Sequence, residues 1–194
     1  EVISEENKLK LITEKRIEYF DYCLICSHPP QTLEIFKNAD YLTKNLLSKF
    51  KYQKNKAVLH FDESVLPREK IAWAAWNYLS TESTKDNDKV SVSYLINKLQ
   101  PLPIEKAVIV TLNPASKIEK NKVVKEINYQ HPLFSIDAIR AQREMVNIQG
   151  RQGVYFSGAW LRYGFHEDGI LSSKSVINKL LKDDEKNEEL LRIL

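Results

Sequence analysis

Glycine is scarce in this 194-residue chain, and all five copies crowd into positions 150 to 169. No Gly-x-Gly-x-x-Gly occurs, so the chain lacks the turn that lets a backbone approach a pyrophosphate. A Gly-x-x-x-x-Gly-Lys-Ser/Thr loop for a nucleoside triphosphate is also absent. Cysteine is nearly as rare. Cys23 and Cys26 lie in the strand-like run "DYCLICSH", where a spacing of three sends the side chains to opposite faces. A metal site needs two further ligands, which His28 alone does not complete, so two reduced, mostly buried thiols are expected. No apolar run approaches the roughly 18 to 20 residues of a membrane helix, and "EVISEENKLK" has neither the basic start nor the apolar middle of a signal peptide. The expectation is a soluble, cytoplasmic protein without a transmembrane segment. Lys and Arg number 29 against 26 Asp and Glu. That balance excludes a polyanion as main partner unless a patch concentrates it, and "KFKYQKNK" at 49 to 56 is too short to do so. No nucleic-acid partner is expected.

What the chain does have is 43% hydrophobic residues and 10% aromatics, enough for one fair core or two small ones. Leu9 and Leu11, then Ile17 and Tyr19, alternate with polar residues as two strands, and "YCLIC" reads as a strand buried on both faces. It is expected to be the edge of a sheet whose remainder lies elsewhere. Pro29 and Pro30 end it. "QTLEIFKNA" follows as a short helix, and Leu42, Leu46, Leu47 and Phe50 mark one face of another. "KAVLHFDESV", "IAWAAWNYL", "KAVIVTLNP" and "KVVKEINYQHP" are expected strands. "VSVSYLINKLQ" begins as a strand and turns helical, and "TESTKDNDK" is a polar loop. A helix starting at Ser135 has apolar positions at 136, 139 and 145. His60 and His131 read as structural histidines.

The segment "FSGAWLRYGFHEDGILSS", positions 156 to 173, is the densest in chemistry. A strand is expected to end at Gly158, where the missing side chain lets something flat lie against the backbone. Asp168 is placed to cap a helix beginning near Gly169. Ile170, Ile177, Leu180 and Leu181 are expected to face a core while Ser172, Ser173 and Ser175 keep one flank thin. The helix start favours a partner with negative charge or carbonyl oxygens, such as a flavin ring. His166, beside Glu167 and Asp168, is the acid-base candidate. A capped helix after a buried strand accounts for the same residues, and both readings stand at this point.

"YQHPLFSIDAIRAQREMVNIQGRQGVYFSGAWLRYGFHEDGILSS", together with "AVLHFDESVLPREKIAWAAWNYL" and "INKLQPLP", resembles the C-terminal half of the bacterial predicted NAD/FAD-binding proteins of the flavin-containing amine oxidase superfamily. The resemblance runs from about Tyr19 to Leu180. It implies a mixed α/β (α+β) fold, the C-terminal part of a two-domain FAD-dependent protein, lacking the N-terminal Rossmann βαβ with its Gly-rich loop. Residues 1–38 and 149–182 would belong to the FAD-binding domain, 39–148 to the substrate domain, and 183–194 to a charged helical tail. It further implies that Gly158, Ala159, Trp160, His166, Asp168, Gly169 and Ser172 are cofactor-binding residues for FAD, and that Trp76, Asn77 and Tyr78 shape the substrate pocket. Two departures stand out: Ser173 replaces the second glycine of the family's Gly-Ala-x-x-Ser-Gly helix start, and Ala159 stands where many members carry an acid.

Two functions follow. In one, the chain is a portion of an FAD-dependent oxidoreductase that passes hydride from a substrate C-H bond to the flavin, with a separate N-terminal FAD-binding half as partner and a small-molecule or lipid-like substrate. In the other, it is a non-catalytic remnant or binding module with no bound cofactor, a reading favoured by the missing phosphate turn.

Overall fold

A computed structural model describes residues 1–6, 8–78 and 91–184. In chain order its elements are strands β1 (Val2–Glu5), β2 (Lys8–Ile12), β3 (Ile17–Phe20) and β4 (Cys23–Ile25), helices α1 (Pro29–Ile35) and α2 (Tyr41–Leu47), and strands β5 (Tyr52–His60), β6 (Trp76–Tyr78) and β7 (Val92–Leu95). There follow α3 (Ile96–Leu99), β8 (Ile109–Leu112), β9 (Val123–Pro132), α4 (Ile136–Glu144), β10 (Val154–Phe156) and α5 (His166–Asp183). The result is the mixed helix and sheet class expected from the sequence.

The chain divides into two compact units, Glu1–Tyr52 with Pro132–Leu194, and Gln53–His131. These divisions fall at Tyr52 and Pro132 rather than at the expected 38 and 148. The reason is packing: Leu46, Leu47 and Phe50 of the α2 region and Ala138, Ala141 and Met145 of the α4 region are buried in one core with Val2, Leu9, Ile25, Val154 and Phe156. Elements that read as a separate substrate domain thus carry side chains that complete the first unit.

In that first unit β1, β2 and β3 form an antiparallel meander in which Leu9 lies opposite both Ser4 and Phe20. Strand β1 was not expected. Its Val2 is buried, and the strand is extended by pairing with β2 rather than by a pattern of its own. One face of β3 is left exposed, at Ile17 and Tyr19. Strand β4 pairs in parallel with β10 at a separation of 131 positions, Cys23 opposite Val154 and Ile25 opposite Phe156, so the partner that "YCLIC" required does come from far along the chain. The thiols are free, as expected, but Cys26 is exposed rather than buried because β4 ends at Ile25. Pro29 and Pro30 do not merely stop the strand: they open α1 at its first positions, where a missing N-H costs nothing.

Helix α4 begins as expected, with Ser135 Oγ accepting the N-H of Ala138 at 3.1 Å. Its buried stripe, however, is Ala138, Ala141 and Met145, while Ile136 and Ile139 are exposed. The alanines lie in one core with Leu46, Leu47, Phe50 and Trp160.

The second unit is built on an antiparallel run in the order β6-β7-β8-β5, with β9 beside β5. Val58, Val65, Leu66, Leu95, Ala107, Ile109 and Ile118 form its core. "IAWAAWNYL" is not one strand: a single 3₁₀ turn at Lys70–Ala72 precedes β6. Leu79, the loop at 81–89 and the tail beyond 184 lie outside the described residues.

Candidate cofactor site at the β10–α5 turn

The first unit carries most of the chemistry singled out by sequence. Val154, Tyr155 and Phe156 are all buried, so β10 is an interior strand although its sheet has two strands. Its outer edge is closed by side chain and turn. Gln149 accepts the Phe156 N-H and donates to the Phe156 carbonyl, both at 2.8 Å, while the Gly150 N-H donates to the Val154 carbonyl at 3.0 Å. Gly150 can stand there because its φ of +86° suits glycine.

Beyond β10 the chain turns at Gly158 and Ala159 and returns as α5. The helix is clamped to the strand by hydroxyls. Ser172 Oγ accepts the Gly158 N-H at 3.0 Å and donates to the Gly169 carbonyl at 2.8 Å, and Ser157 Oγ lies 3.0 Å from Ser172 Oγ and 2.8 Å from Ser173 Oγ. The thin serine flank packs closely on the strand, and of the residues expected to face a core Ile177, Leu180 and Leu181 are half-buried while Ile170 is exposed. Asp168, Ser172 and Val176 are its buried stripe, and Ile170 and Leu171 face outward. Small hydroxyl-bearing residues let the helix axis approach the strand, and Ile170 and Leu171 are left on the far side.

Asp168 is not the cap of a helix starting at Gly169. Helix α5 starts at His166, and Asp168 lies buried in its first turn, accepting the N-H groups of Tyr163 at 3.2 Å and Phe165 at 3.1 Å through Oδ2 and pairing through Oδ1 with Arg162 at 3.1 Å. It ties the turn preceding the helix to the helix itself. His166 and Glu167 are exposed on the first turn. The earliest helical hydrogen bond runs from the Gly169 N-H to the Phe165 carbonyl. The N-H groups of His166, Glu167 and Asp168 precede it and have no acceptor within the helix.

The flat group expected against Gly158 belongs to the chain itself. A Cβ on Gly158 would lie 2.4 Å from Nε1 and 2.6 Å from Cδ1 of Trp160, so the buried indole occupies the space that glycine leaves. Trp160 is stacked edge-on to Phe50 with ring centroids 4.6 Å apart. Its backbone carbonyl accepts from Gln142 Nε2, which also donates to the Arg162 carbonyl and so fixes the turn. The indole Nε1 is buried without a hydrogen-bond partner among the described residues. An unpaired buried donor is costly, about 1 to 3 kcal/mol.

The structure therefore brings Gly158, Ala159, Trp160, His166, Asp168, Gly169 and Ser172 to one turn. Trp76, Asn77 and Tyr78 belong to the other unit. On β6, Asn77 points inward and holds its own turn, accepting the Ala74 N-H at 3.0 Å and donating to the Ala74 carbonyl at 2.7 Å, whereas Trp76 and Tyr78 are more than 60% exposed. Sequence reasoning missed a buried polar chain behind them. Ser93 Oγ lies 2.8 Å from Thr111 Oγ1, which lies 2.8 Å from His60 Nε2, and the Asp62 N-H donates to His60 Nδ1 at 3.0 Å. Burial lowers the pKa of His60 despite the nearby charge of Asp62, so the neutral ring donates through Nε2. No signal in single residues marks this chain, because it exists only once β5, β7 and β8 are in register. His60 and His131 are both hydrogen-bonded, the latter to Asn55 at 2.8 Å. No metal-binding cluster occurs among the described residues, and none of their helices is long and apolar enough to cross a membrane.

No protein-family model and no curated protein sequence matches the chain. Solved structures do. A CLA-producing fatty acid isomerase from P. acnes superposes with a TM-score of 0.65 at 14% identity, covering 92% of this chain and 46% of that one. A protein assigned as a protoporphyrinogen oxidase from Exiguobacterium sp. 255-15 superposes with a TM-score of 0.63 at 13% identity, covering 92% and 45%. The chain spans slightly under half the length of each. In fold, these residues correspond to that share of each of the two chains.

Proposed function

We propose that the chain supplies the strand-turn-helix side of an FAD site in an oxidoreductase of the amine-oxidase type, and acts with a Gly-rich FAD-binding half that these residues do not include. The observation that carries this reading is the convergence at one turn of small residues, unpaired first-turn amides and an unpaired buried indole N-H. Those are the donors and the backbone access that a ring bearing carbonyl oxygens requires. The amides of His166, Glu167 and Asp168 would donate to the cofactor beside Ala159 and Gly169, the Trp160 N-H would gain an acceptor, and Gly158 would serve by giving the indole its place in the turn. Asp168 and Ser172 act from behind by holding the turn and the helix in place. When bound, FAD supplies the electron sink for a hydride leaving a substrate C-H bond. In the other unit the exposed rings of Trp76 and Tyr78 would contact the substrate, a small or lipid-like molecule, with Asn77 holding their strand.

The competing reading, a binding module without cofactor, is supported by the missing phosphate turn. Absorbance between 350 and 500 nm distinguishes them. The purified chain alone is expected to take up little FAD, and to show a flavin spectrum once a Gly-x-Gly-x-x-Gly half is supplied. A spectrum from the chain alone would make it an autonomous flavoprotein, and none under any condition would leave the binding module.

A further inference from the structure

Helices α4 and α5 and the turn between Gly158 and Gly164 enclose an open cleft of about 600 Å³. A second depression of about 310 Å³ shares Gln142, Arg143, Leu161 and Arg162 with it, so the two form one trough on the first unit. Its borders are apolar and uncovered: Val146 is 65% exposed, and Leu171, Ile139 and Phe134 are all exposed. Every ionised residue lining it is a cation, namely Arg143, Arg162, Lys179 and Lys182. Arg162 and Lys179 are paired with Asp168 and Asp183, whereas Arg143 and Lys182 make no ion pair among the described residues. Along α5 the cleft runs from Leu171 to Lys182, about 16 Å of helix. On that side Ser172 and Ser175 keep the wall low enough for another backbone to approach.

We infer that this trough seats an amphipathic helix with an apolar stripe and acidic borders, contributed by the half of the fold that the chain does not contain. The inference rests on the function proposed above. The matched structures have more than as many residues again as they share with this chain. That remainder is where such an occupant would come from, and an apolar floor between cations selects a helix with carboxylates beside its apolar face. The length of three helical turns fits a helix rather than a strand, whose edge would need open backbone groups. On the nearest strand, β10, Gln149 and Gly150 already occupy the outward edge.

The test titrates the full chain with two labelled helical peptides of roughly 18 residues, long enough to hold a helix. Both carry the same leucine stripe, one bordered by Glu and the other by Lys. The Glu-bordered peptide is expected to bind at least about ten-fold more tightly. Val146→Asp, at an exposed position that leaves the fold intact, is expected to abolish that binding, and the pair Arg143→Glu and Lys182→Glu to reverse the preference. Equal binding, no binding, or insensitivity to these variants would overturn the inference. So would uptake by phosphatidylglycerol vesicles without peptide preference, which would make the trough a membrane surface, or self-association abolished by Val146→Asp, which would make it a contact between copies. Flavin uptake is read separately. Peptide docking without a flavin spectrum under any condition would sink the oxidoreductase reading and leave a docking surface, while flavin assembly unaffected by Val146→Asp would sink the trough alone.

Discussion

Two residues show how a single group decides local energetics. At Gly158 the hydrogen is replaced in space by the Trp160 indole. Gly158→Ala is therefore expected to displace that ring and to destabilise the chain by about 1 to 3 kcal/mol, as overpacking of a filled interior does. Denaturant unfolding gives the magnitude, and a changed tryptophan emission in the native state locates it. A normal spectrum with unchanged stability would show that the turn has room to spare. At Tyr52 the situation is the reverse. Its hydroxyl is buried without a partner among the described residues, while its ring stacks on His28 with centroids 4.6 Å apart. Tyr52→Phe keeps the stacking and removes the unsatisfied group, so stability is expected to be unchanged or to rise by up to about 1 kcal/mol. A loss above that in thermal unfolding would mean that the hydroxyl has an acceptor. The roles of Gly158 and Asp168 were half legible: glycine signalled close approach and an acid signalled a helix start. What could not be read was which group approached, or that Asp168 served the preceding turn, because both depend on where Trp160 and Arg162 come to rest.

At the scale of elements, periodicity located the helices but not always their inward faces. In α4 the larger apolar residues Ile136 and Ile139 are exposed and the alanines are buried. Ala138→Leu is accordingly expected to cost about 1 to 3 kcal/mol, whereas Ile136→Ser is expected to fall within about 0.5 kcal/mol of the parent. Comparing the two in urea unfolding tests the direction of the helix. If the serine variant is the weaker, the helix is turned the other way. Helix α5 repeats the lesson, since Ser172 is buried and Ile170 exposed. Hydrophobicity alone ranks these positions wrongly because it counts transfer from water and ignores distance. A helix held to a strand by hydroxyl-backbone hydrogen bonds lies closer than leucines would allow, and Leu171, carried outward, lines the trough between α4 and α5.

For the whole molecule, the buried groups of the second unit set the response to acid. His60 has its pKa lowered by burial, so the native state disfavours its proton while the unfolded chain accepts it near pH 6.5. Stability is thus complete above that range and declines as pH falls through it, because protonation of Nδ1 removes the acceptor of the Asp62 N-H. Asp62 acts lower. Burial opposes its charge, but hydrogen bonds from the backbone N-H groups of Glu119 and Ser64, with Lys122 beside it, outweigh that and hold its pKa at about 2. Its contribution, about 2 kcal/mol, is present above the usual carboxylate range and is lost as pH falls through about 4 toward 2. Chemical unfolding midpoints are expected to drop in these two steps, and His60→Gln to remove the upper one. A flat profile between pH 7 and 5 would show that His60 titrates normally. By itself the sequence determined the mixed fold class, the strand-like and helix-like segments, the absence of a phosphate-binding turn and the clustering of candidate cofactor-binding residues after Gly153. These follow from backbone preferences and side-chain periods, which are local. Tertiary structure alone decided that β4 pairs with β10, that Ser172 rather than Leu171 faces inward, that His60, Thr111 and Ser93 join in one chain, and where the first unit ends. Each depends on contacts between residues far apart in sequence, whose closeness and register no local pattern encodes.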